Sequence, residues 1–288
     1  MSPGGDGAAP VPDLAGVVGR AEVDAIAALC RRSMGDPPTA AELDACLWAP
    51  DQPALVRGDP EVAVVATVRG DEGGYIRLLC VDPAHRGRGL GHALVDRAEV
   101  DLAGQPAITV GADAPYYLWP GVETVHSSML ALLERHHYDR IGANYNIDVD
   151  LRPLPADPGG SWLATEADME EVGPFMDRNW PGWKAEVVKA LRHSTLVLTR
   201  DDQGLSAMCA WDVNRAGLLG PVAVRLDLLG RGAGAAALLG ALHRLRAAGH
   251  PSIEIAWVGP FVPYGRLGGK VGRVFFVYRK QLAIRPAP

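Results

Sequence analysis

The chain has 288 residues, 48% of them hydrophobic, and a formal net charge of −6. This length suffices for one large or two ordinary domains. The acidic balance argues against a nucleic-acid surface, which needs a basic stripe, and no apolar run reaches the length of a membrane span. The opening residues lack the basic and apolar regions of a signal peptide, so we expect a cytoplasmic protein.

The cysteines and histidines give no sign of a disulfide framework or a metal centre. The cysteines stand alone among apolar neighbours, without a Cys-x-x-Cys pair, and we expect buried thiols in a reducing compartment. The histidines form no His-Glu-x-x-His motif, so we expect no metal. The four cysteines are Cys30, Cys46, Cys80 and Cys209.

Periodicity in the first half predicts helices and strands in alternation. A segment with three prolines and two glycines, residues 152–160, then predicts a linker. Helical spacing covers residues 22–34, 40–47, 91–103 and 127–136, and strand patterns cover residues 61–69, 75–81, 107–110 and 145–151.

The same order of elements restarts after the linker, which indicates an internal duplication. Helical spacing covers residues 166–177, 184–191 and 233–247, and strand patterns cover residues 161–165, 195–199, 205–211, 218–224, 252–257 and 274–278. We therefore predict a flexible N-terminus at 1–13, an N-terminal domain at 14–151, the linker at 152–160 and a C-terminal domain at 161–288.

A constant spacing of 143 residues supports the duplication. It relates Val81 to Val224, Arg88 to Arg231, Gly89 to Gly232 and Gly91 to Gly234. Chance similarity between Ala/Gly-rich helices is the alternative explanation.

A glycine-rich loop between a strand and a helix is typical of an anion site, because the first N–H groups of the helix point outward and its dipole is positive there. Arg86 and Arg88 can add charge. A P-loop is excluded because no lysine lies near, and the dinucleotide motif GxGxxG is broken by His92. The segment Arg86–Gly91 fits the pattern Arg/Gln-x-x-Gly-x-Gly completely.

This motif, after a strand that ends in Val-Asp-Pro, resembles the GNAT superfamily of N-acetyltransferases, and both halves together resemble tandem GNAT proteins over about residues 14–281. The resemblance implies an α/β (α+β type) fold of two GNAT-like domains, each a mixed, mostly antiparallel sheet flanked by helices. It also implies that each loop holds the pyrophosphate of acetyl-CoA. The second loop departs from the pattern, with Leu229 where arginine or glutamine is usual.

In this family the strand before the loop bulges and offers backbone groups to the pantetheine arm, and one N–H polarises the thioester carbonyl. The resemblance therefore implies two sets of cofactor-binding residues. The first is Leu79, Cys80, Val81, Arg86, Gly87, Arg88, Gly89, Leu90, Gly91 and His92. The second is Val222, Ala223, Val224, Leu229, Gly230, Arg231, Gly232, Ala233, Gly234 and Ala235.

GNAT domains often protonate the departing CoA thiolate with a tyrosine early in the helix after strand five. Tyr264 fits that position in the second half, whereas Leu133 stands there in the first half, which carries 12 extra residues within 112–126. We favour chemistry in the second half. The alternative is an active site in the first half that uses Tyr116 or Tyr117 from its insertion.

Candidates for the general base are Glu254 and Asp212, with Asp113 and His126 of similar standing in the first half, and a bound water is an alternative. Each carboxylate could equally be structural. Aromatic residues beside Pro-Gly turns are candidates for an acceptor pocket. These candidates are Tyr116, Tyr117, Trp119, Trp180 and Trp183.

The resulting prediction is an acetyl-CoA-dependent N-acetyltransferase that acts on a small-molecule amine by direct attack in a ternary complex. We expect a monomer or homodimer without nucleic-acid or membrane partners. The chief alternative is a non-catalytic acetyl-CoA-binding sensor or scaffold, because each half lacks one expected part. A third possibility is transfer of a different acyl group.

Overall fold

A computed structural model describes residues 14–282, so the predicted N-terminal segment 1–13 lies outside the described residues. Contacts between α-carbons divide the chain into two units. Within the described residues, unit 1 comprises 14–109, 131–138 and 279–282, and unit 2 comprises 110–130 and 139–278. The predicted domains follow the sequence repeat, whereas the units follow contacts. The insertion at 112–126 therefore belongs to unit 2.

Unit 1 contains a sheet with strand order β1-β2-β3-β4, in which β1/β2 and β2/β3 are antiparallel and α3 packs against β2 and β3. A capping box begins α2, because Thr39 and Glu42 each accept the backbone N–H of the other. The first elements are α1 Val23–Ser33, α2 Ala40–Leu47, β1 Leu55–Asp59, β2 Ala63–Arg69, β3 Gly74–Val81, α3 Leu90–Asp101 and β4 Ala107–Val110.

The next two elements, in chain order, lie wholly or partly in unit 2. They are β5 Val122–Glu123 and α4 Ser127–Arg135, whose residues 131–135 return to unit 1. Strand β5 forms part of the insertion.

Unit 2 is built on the strand order β12-β6-β11-β10-β9-β8-β7, with β5 paired to β12. The pair β10/β11 is parallel, and β7/β8, β8/β9, β9/β10, β6/β11 and β5/β12 are antiparallel. Its remaining elements are β6 Asp139–Asp150, β7 Ser161–Leu163, α5 Met169–Asn179, α6 Lys184–Arg192, β8 Leu196–Asp201, β9 Gly204–Trp211, β10 Leu218–Val224, α7 Gly234–Ala247, β11 Ser252–Ile255, α8 Val262–Gly265 and β12 Lys270–Gln281.

The sheet of unit 2 buries both faces, because apolar side chains of β9 alternate between two cores. Cys209 and Trp211 join α7 and Tyr264 on one face. Met208 and Ala210 join α5 and α6 on the other. This two-sided burial explains why β9 has an almost continuous hydrophobic sequence rather than a polar-apolar alternation.

The predicted mixed, mostly antiparallel α/β fold and the predicted buried thiols are confirmed. The pattern analysis missed β1, β5 and α8, which are five residues or shorter. The predicted strand 252–257 is too long: β11 ends at Ile255, because Trp257 has a φ of 50° that no extended strand adopts.

Candidate functional site

The two glycine-rich loops have the same backbone conformation. Gly87 and Gly89 have φ values of 75° and 83°, and Gly230 and Gly232 have values of 74° and 81°. These left-handed conformations favour glycine, and nothing lies within 4 Å of a Cβ built on any of the four. Leu229 therefore does not alter the course of the second loop.

Each loop leads into a helix whose first N–H groups have no side-chain cap. Helix α3 begins after Gly89 and α7 begins after Ala233, and neither N-cap residue accepts a hydrogen bond with its side chain. The positive end of the helix dipole adds to these outward N–H groups. Both loops thus have the donors and the open approach that a pyrophosphate requires.

The strand before each loop carries a bulge at the corresponding place. The register of β3 against β2 shifts between Ile76 and Leu78. The register of β10 against β9 shifts between Leu219 and Val222. A bulge turns the following residues relative to the neighbouring strand, as the family resemblance implies.

Hydrogen-bond parity decides which backbone groups point away from the pairing strand. The N–H of Arg225 donates to Ser206 O at 2.9 Å, so alternate residues from Ala223 onward pair with β9. Val222 and Val224 therefore direct their N–H and C=O groups toward β11. In unit 1 the bond from Asp82 N to Val62 O, at 2.8 Å, gives the same parity.

The predicted residues of these strands consequently divide into two groups. Leu79 and Val81 in unit 1 present their backbone groups on the side away from β2, whereas the backbone of Cys80 pairs with Val64. By the same parity Ala223 is engaged with β9.

The carbonyl at the end of each strand is held by a different side chain in the two units. Arg86 donates from Nε to Val81 O at 3.2 Å and from an Nη to Ser33 O at 2.9 Å. The equivalent Val224 O accepts the indole N–H of Trp180 at 2.7 Å. Trp180 thus makes the strand contact that Leu229 cannot make.

Trp180 also stacks on Trp183, with ring centroids 4.9 Å apart and planes inclined by 6°. These two predicted pocket residues therefore lie beside the second cofactor loop. Arg86 is held by backbone carbonyls, while Arg88 and Arg231 are exposed at the loops.

Strands β10 and β11 separate beyond the bulge. They pair at Leu218–Glu254 and Leu219–Ile255, and Ala256 N donates to Leu219 O at 3.0 Å. Beyond this bond β10 continues to Val224 while β11 has ended. The backbone of Val222 faces this opening, which we call the β10–β11 gap.

Tyr264 belongs to the core on the α7 side of the β10–β11 gap. Its side chain is buried, it shares a cluster with Cys209, Leu219 and Ile255, and Val222 packs against the same cluster. Burial, with a smaller effect of Cys209, raises the pKa of the Tyr264 phenol above its ordinary value of 10.0. The phenol is therefore protonated at neutral pH, as a proton donor must be.

The two predicted general bases both have structural contacts. The Glu254 carboxylate accepts from Asn146 Nδ2 at 2.5 Å and lies 3.5 Å from the guanidinium of Arg273. Asp212 has a φ of 52° and accepts the N–H of Gly217 at 2.7 Å within the β9–β10 turn. Each carboxylate stabilises its own turn or strand.

The insertion at 112–126 contacts helices and turns of the second half. The N–H of Ala112 donates to Trp119 O at 3.0 Å and closes the loop. The ammonium of Lys189 lies 5.6 Å from the centre of the Tyr116 ring. Tyr117 meets Trp257 edge to face at 5.3 Å.

Further contacts extend this arrangement. The guanidinium of Arg215 lies 5.4 Å from the Trp119 ring centre. Asn214 donates to Pro115 O at 2.8 Å and accepts from Lys189 at 2.9 Å. The tyrosines that the sequence associates with the first half thus lie among residues of the second, all within unit 2.

Sequence reasoning missed Glu186 on α6, which is 4% exposed. Burial raises the pKa of its carboxyl to about 8, although the nearby ammonium of Lys189 opposes the shift. The signal was present, because Glu186 falls at helical spacing from Ala190 on the buried face of α6.

His92, at the start of α3, contacts His136 through ring nitrogens 2.9 Å apart. Burial lowers the pKa of His136, against the opposing effect of Asp96 3.6 Å away. Leu133 in the same segment is fully buried, so the position that Tyr264 has in unit 2 is filled by core packing in unit 1.

Within residues 14–282, no group of three or more His, Cys, Asp and Glu side chains could hold a metal ion. None of the helices in this part of the chain combines the length and hydropathy that a bilayer crossing requires.

Comparison with known proteins agrees with this geometry. Residues 50–139 match the family model of the acetyltransferase (GNAT) domain. A comparison with curated protein sequences finds no match.

Three solved structures share the fold. The first is a GCN5-related glucosamine N-acetyltransferase region of a fungal multi-domain GH3 β-N-acetylglucosaminidase, with a TM-score of 0.74 and 21% identity. That match covers 92% of this chain but 38% of the fungal chain. A GCN5-related N-acetyltransferase from Sphaerobacter thermophilus has a TM-score of 0.68 and 21% identity, covering 97% and 98% of the two chains.

The third structure is a tandem GNAT protein from the clavulanic acid biosynthesis pathway. Its TM-score is 0.64 at 17% identity, and the match covers 93% of this chain and 96% of that one. Residues 50–139 therefore belong to the GNAT acetyltransferase family, within a chain that has the fold of a tandem GNAT protein.

Proposed function

We propose that the protein is an acetyl-CoA-dependent N-acetyltransferase for a small-molecule amine, with its chemistry in unit 2. The observation that carries this proposal is the β10–β11 gap, which has the Val222 backbone on one side and the buried Tyr264 phenol close by. Unit 1 has an equivalent loop but Leu133 in place of the tyrosine.

Gly230 and Gly232, with the first N–H groups of α7, would hold the pyrophosphate of acetyl-CoA. The pantetheine arm would lie in the β10–β11 gap, as an added strand does at a sheet edge. When bound there, acetyl-CoA supplies the acetyl group as a thioester.

The chain's own groups then have three tasks. The Val222 N–H donates to the thioester oxygen as negative charge develops on it. The amine, whose ordinary pKa is about 10, attacks in its neutral form within a ternary complex. Tyr264 gives its proton to the departing thiolate, and its raised pKa keeps that proton available.

The experiment is a thiol-release assay with acetyl-CoA and a panel of amines. Glucosamine comes first, because one structural relative is described as a glucosamine N-acetyltransferase region. We expect Tyr264→Phe to lower kcat by about 100-fold or more. The matched control is Tyr138→Phe, which removes a buried phenol from unit 1.

Equal rates for wild type and Tyr264→Phe would contradict chemistry at this tyrosine. Absence of turnover with every amine would favour the alternative, an acetyl-CoA sensor or scaffold.

A further inference from the structure

The buried carboxyl of Glu186 has no role in the mechanism above. On α6, Val187, Ala190 and Leu191 face the core. Successive positions of an α-helix are about 100° apart. Glu186 therefore lies at one edge of the buried face, and that edge is the one beside Lys189.

Lys189 identifies what adjoins this edge. Its ammonium donates to Asn214 Oδ1 at 2.9 Å and lies over the Tyr116 ring. Asn214 in turn donates to the carbonyl of Pro115. Glu186 thus stands beside the junction of α6, the β9–β10 turn and the insertion.

Core packing alone gives no reason for a carboxyl at this position. A buried carboxyl loses its hydration and is stable only with a compensating partner. Burial dominates over the attraction of Lys189, so the compensation within the chain is incomplete. A cation that entered beside Glu186 would complete it.

The aromatic residues of the insertion favour the same kind of ligand. Tyr116 and Trp119 each lie near a protein cation, Lys189 and Arg215 respectively. Aromatic faces attract ammonium and guanidinium groups. A small cationic amine therefore finds two attractive features here, an aromatic wall and a buried carboxyl.

We propose that Glu186 binds the ammonium group of the acceptor amine, in a site between α6 and the insertion. The ligand class is a small amine that is cationic in water, such as a polyamine or an amino sugar. This inference rests on the proposed function, because it assigns the acceptor side of the same unit.

The first test compares Glu186→Gln with Glu170→Gln, an exposed control on α5. Initial rates are measured at saturating acetyl-CoA with glucosamine, 1,4-diaminobutane and spermidine as probes. We expect Glu186→Gln to raise the KM of the amine by roughly 10- to 100-fold, the usual effect of losing a hydrogen bond to a charged group. The kcat and the KM of acetyl-CoA should change less than about threefold.

An unchanged KM for every probe would overturn the proposal, as would an equal rise in the Glu170→Gln control. A loss confined to kcat would also overturn it, because a binding residue acts on KM. Intrinsic fluorescence melting confirms that each variant is folded before it is assayed.

Calorimetry with CoA present separates this proposal from the proposed function, because it requires no turnover. Wild-type binding that Glu186→Gln loses supports the site even if no amine is acetylated, in which case the proposed function fails alone. Absence of wild-type binding to all three probes overturns the site. Tyr116→Leu, which removes one aromatic face, should weaken the same binding.

Discussion

Replacing Glu186 by glutamine should change the pH dependence of stability. In the unfolded chain this carboxyl ionises near its ordinary pKa of 4.5, whereas burial raises the folded-state pKa to about 8. Below pH 4.5 both states are protonated, and ionisation costs nothing. As the pH rises from 4.5 to 8, the unfolded chain releases a proton that the folded chain keeps, so the folded state loses relative stability.

The size of this effect follows from the pKa difference. Each pH unit between 4.5 and about 8 costs roughly 1.4 kcal/mol, so the penalty reaches at most about 5 kcal/mol above pH 8. Glutamine has nearly the same shape and does not ionise. The stability of Glu186→Gln relative to wild type should therefore increase by several kcal/mol between pH 5 and pH 8.5.

The assay is urea unfolding at both pH values, followed by tryptophan fluorescence. This signal reports mainly on unit 2, which contains every tryptophan except Trp48. Glu170→Gln is the control and should follow wild type at both pH values. A difference between Glu186→Gln and wild type that stays constant from pH 5 to pH 8.5 would refute the reasoning.

Two further predictions concern the cofactor loop and the insertion. Trp180→Phe leaves the Val224 carbonyl without its donor, so we expect unit 2 to lose about 1–3 kcal/mol of unfolding free energy in urea; a loss equal to that of Trp183→Phe would indicate that stacking is the cause. Gly121→Ala forces a Cβ to 2.7 Å from Phe276 O at a φ of 144°, so the insertion must shift, with a cost of about 1–3 kcal/mol and a raised KM for the amine. Gly142→Ala, where nothing lies within 4 Å of a built Cβ, should leave that KM unchanged.

Much of the fold could be predicted because its signals are local. The strand before each loop, the positive-φ glycines and the helix after them lie within a short stretch and recur 143 residues apart. The mixed sheet then followed from the family resemblance. The short elements β1 and α8 were missed because periodicity needs more residues than they contain.

The acceptor side could not be predicted in the same way, because its contacts join distant parts of the chain. The substitution at Leu229 suggested a weaker loop, but the compensating donor is Trp180 on another element. The insertion tyrosines were associated with the first half by sequence order, yet Tyr116 lies beside Lys189. Glu186 was overlooked because its burial is a property of the assembled unit.

The central claim is that the second loop binds acetyl-CoA for the chemistry in unit 2. It is tested most directly by acetyl-CoA calorimetry on Gly232→Asp and Gly232→Asn, with Gly89→Asp and Gly89→Asn as the matched pair in unit 1. Asp and Asn tolerate left-handed backbone equally well, so the difference within each pair isolates the added negative charge beside the pyrophosphate. We predict that Gly232→Asp loses about tenfold or more in affinity at one site relative to Gly232→Asn, and that turnover falls with it. Unaltered binding and turnover in Gly232→Asp, together with a loss of both in Gly89→Asp, would contradict the account and assign the chemistry to unit 1.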